Sequence, residues 1–282
     1  MTSISLDLSE KIDPITKELY QVIEQVTNEL GVSYVVVGAT ARDLVLNLGY
    51  GAAISRATTD VDFGIEVDSW ATFEKLKQAL LASNFKTSKT EHRLFDPNDT
   101  AIDIVPFGDL EDKHSNIQWP PKGDIEMNVL GFKEAHDNSL KVIIQHEPKI
   151  EIPVATSQGL ALLKIISWSD RDAGLRKKDA LDLSYLLENY EMINAVMERV
   201  YDMDDLMEQY DWDLTLASAH LLGIDSAHIS EEATQLKIKE ILEQNLNEAD
   251  INHLVEEMCK QIDEEYEQKI KLLKAFFDGF TQ

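Results

Sequence analysis

Asp60 and Asp62 stand one residue apart in the stretch TDVDFGIEV, where Val61, Phe63, Ile65 and Val67 occupy the alternate positions. A period of two is the period of a β-strand, in which residues i and i+2 share a face. The apolar set therefore turns toward a core, and the two acids lie together on the other face, roughly 6 to 7 Å apart along the strand. Two uncompensated carboxylates at that spacing repel and raise each other's pKa. A divalent cation removes the conflict, and an all-oxygen donor set suits Mg²⁺ or Mn²⁺. On this reasoning, deleting one acid in metal-free buffer relieves repulsion and stabilises the chain.

A third acid sits in the same kind of context. In TAIDIVPF, Asp103 is flanked by Ile102 and Ile104, so it points away from the core those two fill. Pro106 and Gly108 are expected to end that strand. With the two strands adjacent, three carboxylates converge on one edge of a sheet. Two-metal phosphoryl transfer uses such an arrangement: one ion activates an attacking hydroxyl and the other holds nucleotide phosphates.

Upstream, VVVGATARD reads as a buried strand passing through Gly38 into a helix closed by Gly49. A helix start offers free backbone N–H groups to anionic phosphate, and Gly38 permits close approach. Thr40 adds a hydroxyl and Arg42 a cation one turn in. Around these elements, helical periodicity spans residues 13–30, with Gly31 as a stop, and SWATFEKLKQALLASN, with Ser69 as N-cap. The middle is rich in turns, WPPKGD and HDNS among them, between the strand-like runs LKVII and KIEIPV. After Pro153 the texture is helical: TSQGLALLKIISWSDRD, then RKKDALDLSYLLENY with Leu183, Leu186, Leu187 and Tyr190 on one stripe, then three or four further helices. The expected architecture is an α/β (α+β) domain with a mixed sheet over residues 1–153 and an all-helical domain over 154–282.

The formal charge is −26 and the sequence pI about 4.5. Phosphate binding normally rests on a basic surface, so this balance argues against a general nucleic-acid coat. From Leu186 onward there are 23 acids against 7 Lys or Arg, read as a solvated helical surface or as a face for a cationic substrate or basic partner. The locally basic stretch holds Lys164, Arg171, Arg176, Lys177 and Lys178, as neutralising a triphosphate requires; pairing with nearby acids is the plainer reading of Arg176 and Lys177. No apolar run reaches the roughly 20 residues of a membrane span. The opening MTSISLDLSEKIDP has no basic n-region or apolar h-region. Cys259 is the single cysteine, so no internal disulfide or thiolate zinc site forms, and a reducing cytoplasm is expected. His92, His114, His136 and His220 lack metal-ligand spacing and read as surface or boundary groups; Trp119 and Trp168 read as packing residues.

The ordered set of strand-Gly-helix, Asp-x-Asp and lone Asp resembles the nucleotidyltransferase superfamily that includes DNA polymerase β. Within it, VVGATARDLVL, RATTDVDFGI, AIDIVPF and IPVATSQGLALLKIISWSDRDAGLRKKDALDL are similar to the AbiEii-type nucleotidyltransferases of type IV toxin–antitoxin and abortive-infection systems. The resemblance covers roughly residues 30 to 190. It implies that Asp60 and Asp62 bind metal, that Asp103 joins them as ligand or general base, and that Lys164 contacts the triphosphate. It also implies nucleotide contacts at Gly38, Ala39, Thr40, Arg42, Arg171 and Lys178, with Asp179 completing the Lys-Asp pair. Gly38-Ala39 stands where the family has Gly-Gly or Gly-Ser, and NLGYGAAISRATT lengthens the interval to Asp60. Three readings stay open. One is transfer of a nucleoside monophosphate from an NTP to a tRNA 3′ end by a toxin with a cognate antitoxin. Another is the same chemistry on a small cationic acceptor, as in the aminoglycoside nucleotidyltransferases. The last is an idle nucleotide-binding regulatory partner.

Overall fold

The structure is a computed structural model that describes residues 5–54, 59–120, 123, 126–247 and 252–282. Part of the loop before Asp60 (Ser55–Thr58) and Pro121, Lys122 and Asp124 of the WPPKGD turn lie outside the described residues. The chain divides into two compact units, Met1–Gly49 with Arg56–Thr156, and Tyr50–Ser55 with Ser157–Gln282.

Among the described residues the first unit is built on ten strands: β1 (Ser5–Asp7), β2 (Ser33–Val37), β3 (Asp60–Glu66), β4 (Lys86–Thr87), β5 (Arg93–Phe95), β6 (Ala101–Phe107), β7 (Asn116–Gln118), β8 (Glu126–Asn128), β9 (Leu140–Gln145) and β10 (Ile150–Val154). Eight of them form a mixed sheet in the order β1-β9-β10-β2-β3-β6-β5-β4, and β7 and β8 form a separate ribbon. Helix α1 (Pro14–Leu30) starts where the Asp13 carboxylate accepts from the Thr16 N–H and ends at left-handed Gly31. Helix α2 (Gly38–Arg42) is one turn long and widens into a π-helical turn over Asp43–Gly49. Helix α3 (Trp70–Ala82) is capped by the Ser69 hydroxyl, which accepts from the Thr72 N–H at 3.3 Å.

The alternation in β3 has the consequence expected of it. Val61, Phe63 and Ile65 are buried, with Phe63 edge-on to Tyr20 of α1 and to Tyr34 of β2, while Asp60 and Asp62 are half-buried on the opposite face. Gly64 shares the acids' face. A Cβ there would stand 2.8 Å from the ring of Phe132 in α4 (Phe132–Asp137), so that short helix closes over the end of the face farther from Asp60. Pro106 lies inside β6 rather than ending it. The Ile104 N–H donates to the His92 carbonyl on the β5 side. Two residues later the proline's missing N–H faces the same side, beyond the start of β5, where no ladder bond is lost.

The second unit is helical: α5 (Ser157–Asp170), α6 (Lys177–Asn189), α7 (Asn194–Tyr201), α8 (Asp204–Gln209), α9 (Leu214–Ile229), α10 (Glu232–Leu246), α11 (His253–Met258) and α12 (Ile262–Phe280). Among the described residues six helices therefore follow α6, not three or four, because α7, α8 and α11 are too short to show a helical period clearly. Helix α5 is apolar nearly all round and sits in the core. Helices α9 and α12 touch backbone to backbone: a Cβ on Gly223 would lie 2.1 Å from the Phe276 carbonyl oxygen, and one on Gly279 2.0 Å from that of His220. His220 is consequently buried, not at the surface, with Nδ1 and the Tyr210 hydroxyl 2.9 Å apart. No helix among the described residues is long and apolar enough to cross a membrane.

Gly223→Ala and Gly279→Ala should each force the two helix backbones apart and cost about 1–3 kcal/mol by overpacking, measured as a lowered denaturation midpoint in urea. Alanine at Gly174, which meets no neighbour within 4 Å, should not do so.

Candidate active site

Strands β3 and β6 pair in parallel, and their register sets Asp62 directly beside Asp103. Asp60, two residues earlier on β3, shares the face. On the other flank, β2 runs antiparallel to β3 with Val37 opposite Asp62. The next residue is Gly38, at φ +68°, where a Cβ would meet Asp62 Oδ2 at 2.0 Å. Glycine is required twice over, for the left-handed backbone and for the space that the carboxylate fills. The Thr40 hydroxyl donates to the Asp60 carbonyl oxygen at 2.9 Å and so ties α2 to β3. Ala39 is buried. Arg42, expected to offer the nucleotide a cation, is 1% exposed, and Asp43 Oδ1 accepts from its Nε at 2.9 Å and its Nη2 at 2.7 Å.

The positive charge among the acids is Arg93, which the sequence reading did not single out. It faces Asp103 across the antiparallel β5–β6 pair. Its Nε donates to Asp103 Oδ1 at 2.7 Å, and its Nη2 donates to Asp103 Oδ2 at 2.7 Å and to Asp60 Oδ2 at 3.1 Å. The Asp103 hydrogen bonds, then the charges of Asp103, Asp60 and Asp62, raise the guanidinium's pKa beyond its already high ordinary value, against the opposing effect of partial burial. The signal lay in EHRLFDPNDTAID: a hairpin about DPND sets Arg93 on the same face as Asp103. The compensation expected from a metal is thus partly supplied by a side chain, and relief of repulsion no longer follows from deleting an acid. As placed, no three His, Cys, Asp or Glu side chains among the described residues could hold a metal ion. The donor set is still all oxygen and already closes on a cation, which is the chemistry a Mg²⁺ or Mn²⁺ site needs.

In the second unit Lys164, its side chain 12% exposed, packs against two buried acids, its Nζ 3.0 Å from Asp179 Oδ1 and 2.8 Å from Asp182 Oδ2. Both carboxylates are at most 2% exposed. Arg171 Nη1 donates to Asp179 Oδ2 at 2.6 Å. Burial presses the Lys164 pKa down, but Asp182 and Asp179 overcome it and the net shift is upward. Asp182 also escaped the sequence reading, although Asp179 and Asp182 share a helix face at a spacing of three. Lys178 is exposed. Arg176 pairs with Glu257 at 3.0 Å and lies over the ring of Trp168, whose Nε1–H donates to the same carboxylate.

Two stability predictions follow from these charges. Asp103→Asn weakens both strong Arg93 bonds and should cost about 1–3 kcal/mol, whereas Asp60→Asn, at a partly exposed pair, should cost under about 1 kcal/mol; chemical denaturation in EDTA compares them. Lys164→Met leaves two buried carboxylates without the ammonium they share and should cost about 3–5 kcal/mol at neutral pH. Because the folded Lys164 pKa is raised, its contribution is complete below about pH 10.4 and lost as pH rises through the folded value. The thermal midpoints of wild type and Lys164→Met should therefore converge at alkaline pH.

The model of the family described as "Nucleotidyl transferase AbiEii toxin, Type IV TA system" matches residues 21–277. It reaches beyond the motif-bearing stretch on both sides and includes nearly all the C-terminal helices. Three solved structures are among those to which the chain is similar, each at a low TM-score. ANT(2″)-Ia in complex with adenylyl-2″-tobramycin is 10% identical, with 60% of this chain and 90% of that chain covered at a TM-score of 0.36. An antigenic nucleotidyltransferase-like protein from Paracoccidioides brasiliensis is 18% identical, with coverages of 68% and 90% and a TM-score of 0.36. The Thermotoga maritima CCA-adding enzyme complexed with tRNA is 13% identical, with coverages of 97% and 80% and a TM-score of 0.27. No curated protein matches the chain.

Proposed function

The chain belongs to the AbiEii nucleotidyltransferase family, and from that premise we propose that it moves a nucleoside monophosphate from an NTP to the hydroxyl of an acceptor, a tRNA 3′ end being the first choice. The observation that carries this is the β3–β6 register, which aligns Asp62 with Asp103 and leaves Asp60 on the same face. Asp60, Asp62 and Asp103 would hold divalent cations, which when bound lower the acceptor hydroxyl's pKa and neutralise the phosphates. Asp103 accepts the hydroxyl proton, the acceptor oxygen bonds to the α-phosphorus, and the α–β bridge breaks to release pyrophosphate. Gly38 lets Asp62 stand against the β2–α2 turn, and the Thr40 hydroxyl fixes the Asp60 backbone. Of the expected phosphate-binding cations, Arg42 and Lys164 are committed to Asp43 and to Asp179 and Asp182, while Lys178 and Arg171 reach solvent. The family's description as a toxin of a type IV system makes a cognate antitoxin the proposed partner.

The charge of −26 favours a second acceptor class, a small polycation such as an aminoglycoside, which an acidic surface attracts and a polyphosphate does not.

Incubation with Mg²⁺ and each α-labelled NTP, with total tRNA or an aminoglycoside panel, distinguishes the two. Label should move to one acceptor class only, require Mg²⁺, and fall about 10²- to 10⁴-fold in Asp103→Asn. Transfer unchanged in Asp60→Asn, Asp62→Asn and Asp103→Asn would overturn the assignment.

A further inference from the structure

Arg93 occupies both oxygens of Asp103 and one of Asp60, atoms that a cation at this face would also use. Its place follows from the strand pairing, since Arg93 lies opposite Asp103 in the β5–β6 register. A guanidinium and a divalent ion on the same two carboxylates repel, and a bidentate clamp on Asp103 aims its oxygens at the arginine. As they stand the acids form no three-carboxylate cage, so something must move before one can close. The side chain has room to leave, because Arg93 is 33% exposed.

Resting on the reading that divalent cations act at these acids, we propose that Arg93 is an intramolecular placeholder for the metal. Its guanidinium holds Asp60 and Asp103 together until the ion arrives, the ion displaces it from both, and the exchange sets metal affinity. Arg93 is thus a positioning residue, acting on the acids and not on the reacting atoms.

The test uses the full chain without nucleotide. Free Mn²⁺ is followed by electron paramagnetic resonance while it is titrated into wild type, Arg93→Gln and Arg93→Lys. Arg93→Gln should bind about tenfold more tightly than wild type, the equivalent of one charge-assisted hydrogen bond of about 1.4 kcal/mol no longer competing. In ¹⁵N NMR of wild type, the Arg93 Nε–H resonance, assigned by its loss in Arg93→Lys, should shift as Mg²⁺ is added, with the same midpoint as Mg²⁺ binding. The NMR arm also keeps the proposal falsifiable if Arg93→Gln does not fold. Metal binding with that resonance unmoved overturns the placeholder, because a bystander charge would weaken the metal without leaving Asp103. Equal or weaker Mn²⁺ affinity in Arg93→Gln overturns it too, and leaves the metal-dependent transferase reading standing. If neither protein takes up Mn²⁺, both readings fall together.

Discussion

The register between β3 and β6 is the constraint on which the arrangement of the first unit's acids depends. Side chains alternate strictly along a strand, so a slip of one residue would bury Asp62 in the aromatic core beside Tyr20 and Tyr34 and turn Phe63 to solvent. The neighbouring elements are built to that register. Gly38 leaves room for the Asp62 carboxylate, Thr40 bonds the Asp60 carbonyl, and Gly64 admits the Phe132 ring. Three positions with small side chains, or none, let one face of the sheet be tightly covered at one end and polar at the other.

Charge is handled differently in the two units. At the sheet, a guanidinium and half-buried carboxylates keep partial access to water. Within the helical unit, Lys164, Asp179 and Asp182 are nearly dry, and each charge is tolerable only because the others are present. Asp179 spans Lys164 and Arg171, which explains why the basic stretch is less basic than it reads. The surplus of acid lies elsewhere, on the outer faces of the later helices, where solvation costs little.

Much of the sheet was legible because period-two alternation is a local signal. Asp60, Asp62 and Asp103 could be assigned a face from their immediate neighbours, and the caps at Ser69 and Gly31 followed from single residues. What escaped depends on pairing across distance. Arg93 carries no motif and acquires meaning only through the hairpin that folds β5 onto β6. Asp182 looks like one more acid on an acidic helix until Lys164 is seen beneath it. Arg42 reads as a free cation because the sequence shows its charge but not its burial. His220 reads as a surface or boundary group because only the glycine contacts of α9 and α12 bring the helices close enough to enclose it. Pro106 was read as a strand end because a rule about central strands takes no account of where the neighbour begins.

The short stretch Tyr50–Ser55 clusters with the helical unit although the residues on either side of it belong to the sheet unit, and the Tyr185 hydroxyl donates to its Ala53 carbonyl. The chain consequently passes between the units three times, and no single cut separates them cleanly. A fragment ending near Thr156 would carry that stretch away from Tyr185, and the complementary fragment would lack it. Severing the polypeptide once therefore yields one piece with a stranded loop and another with an unmet hydroxyl.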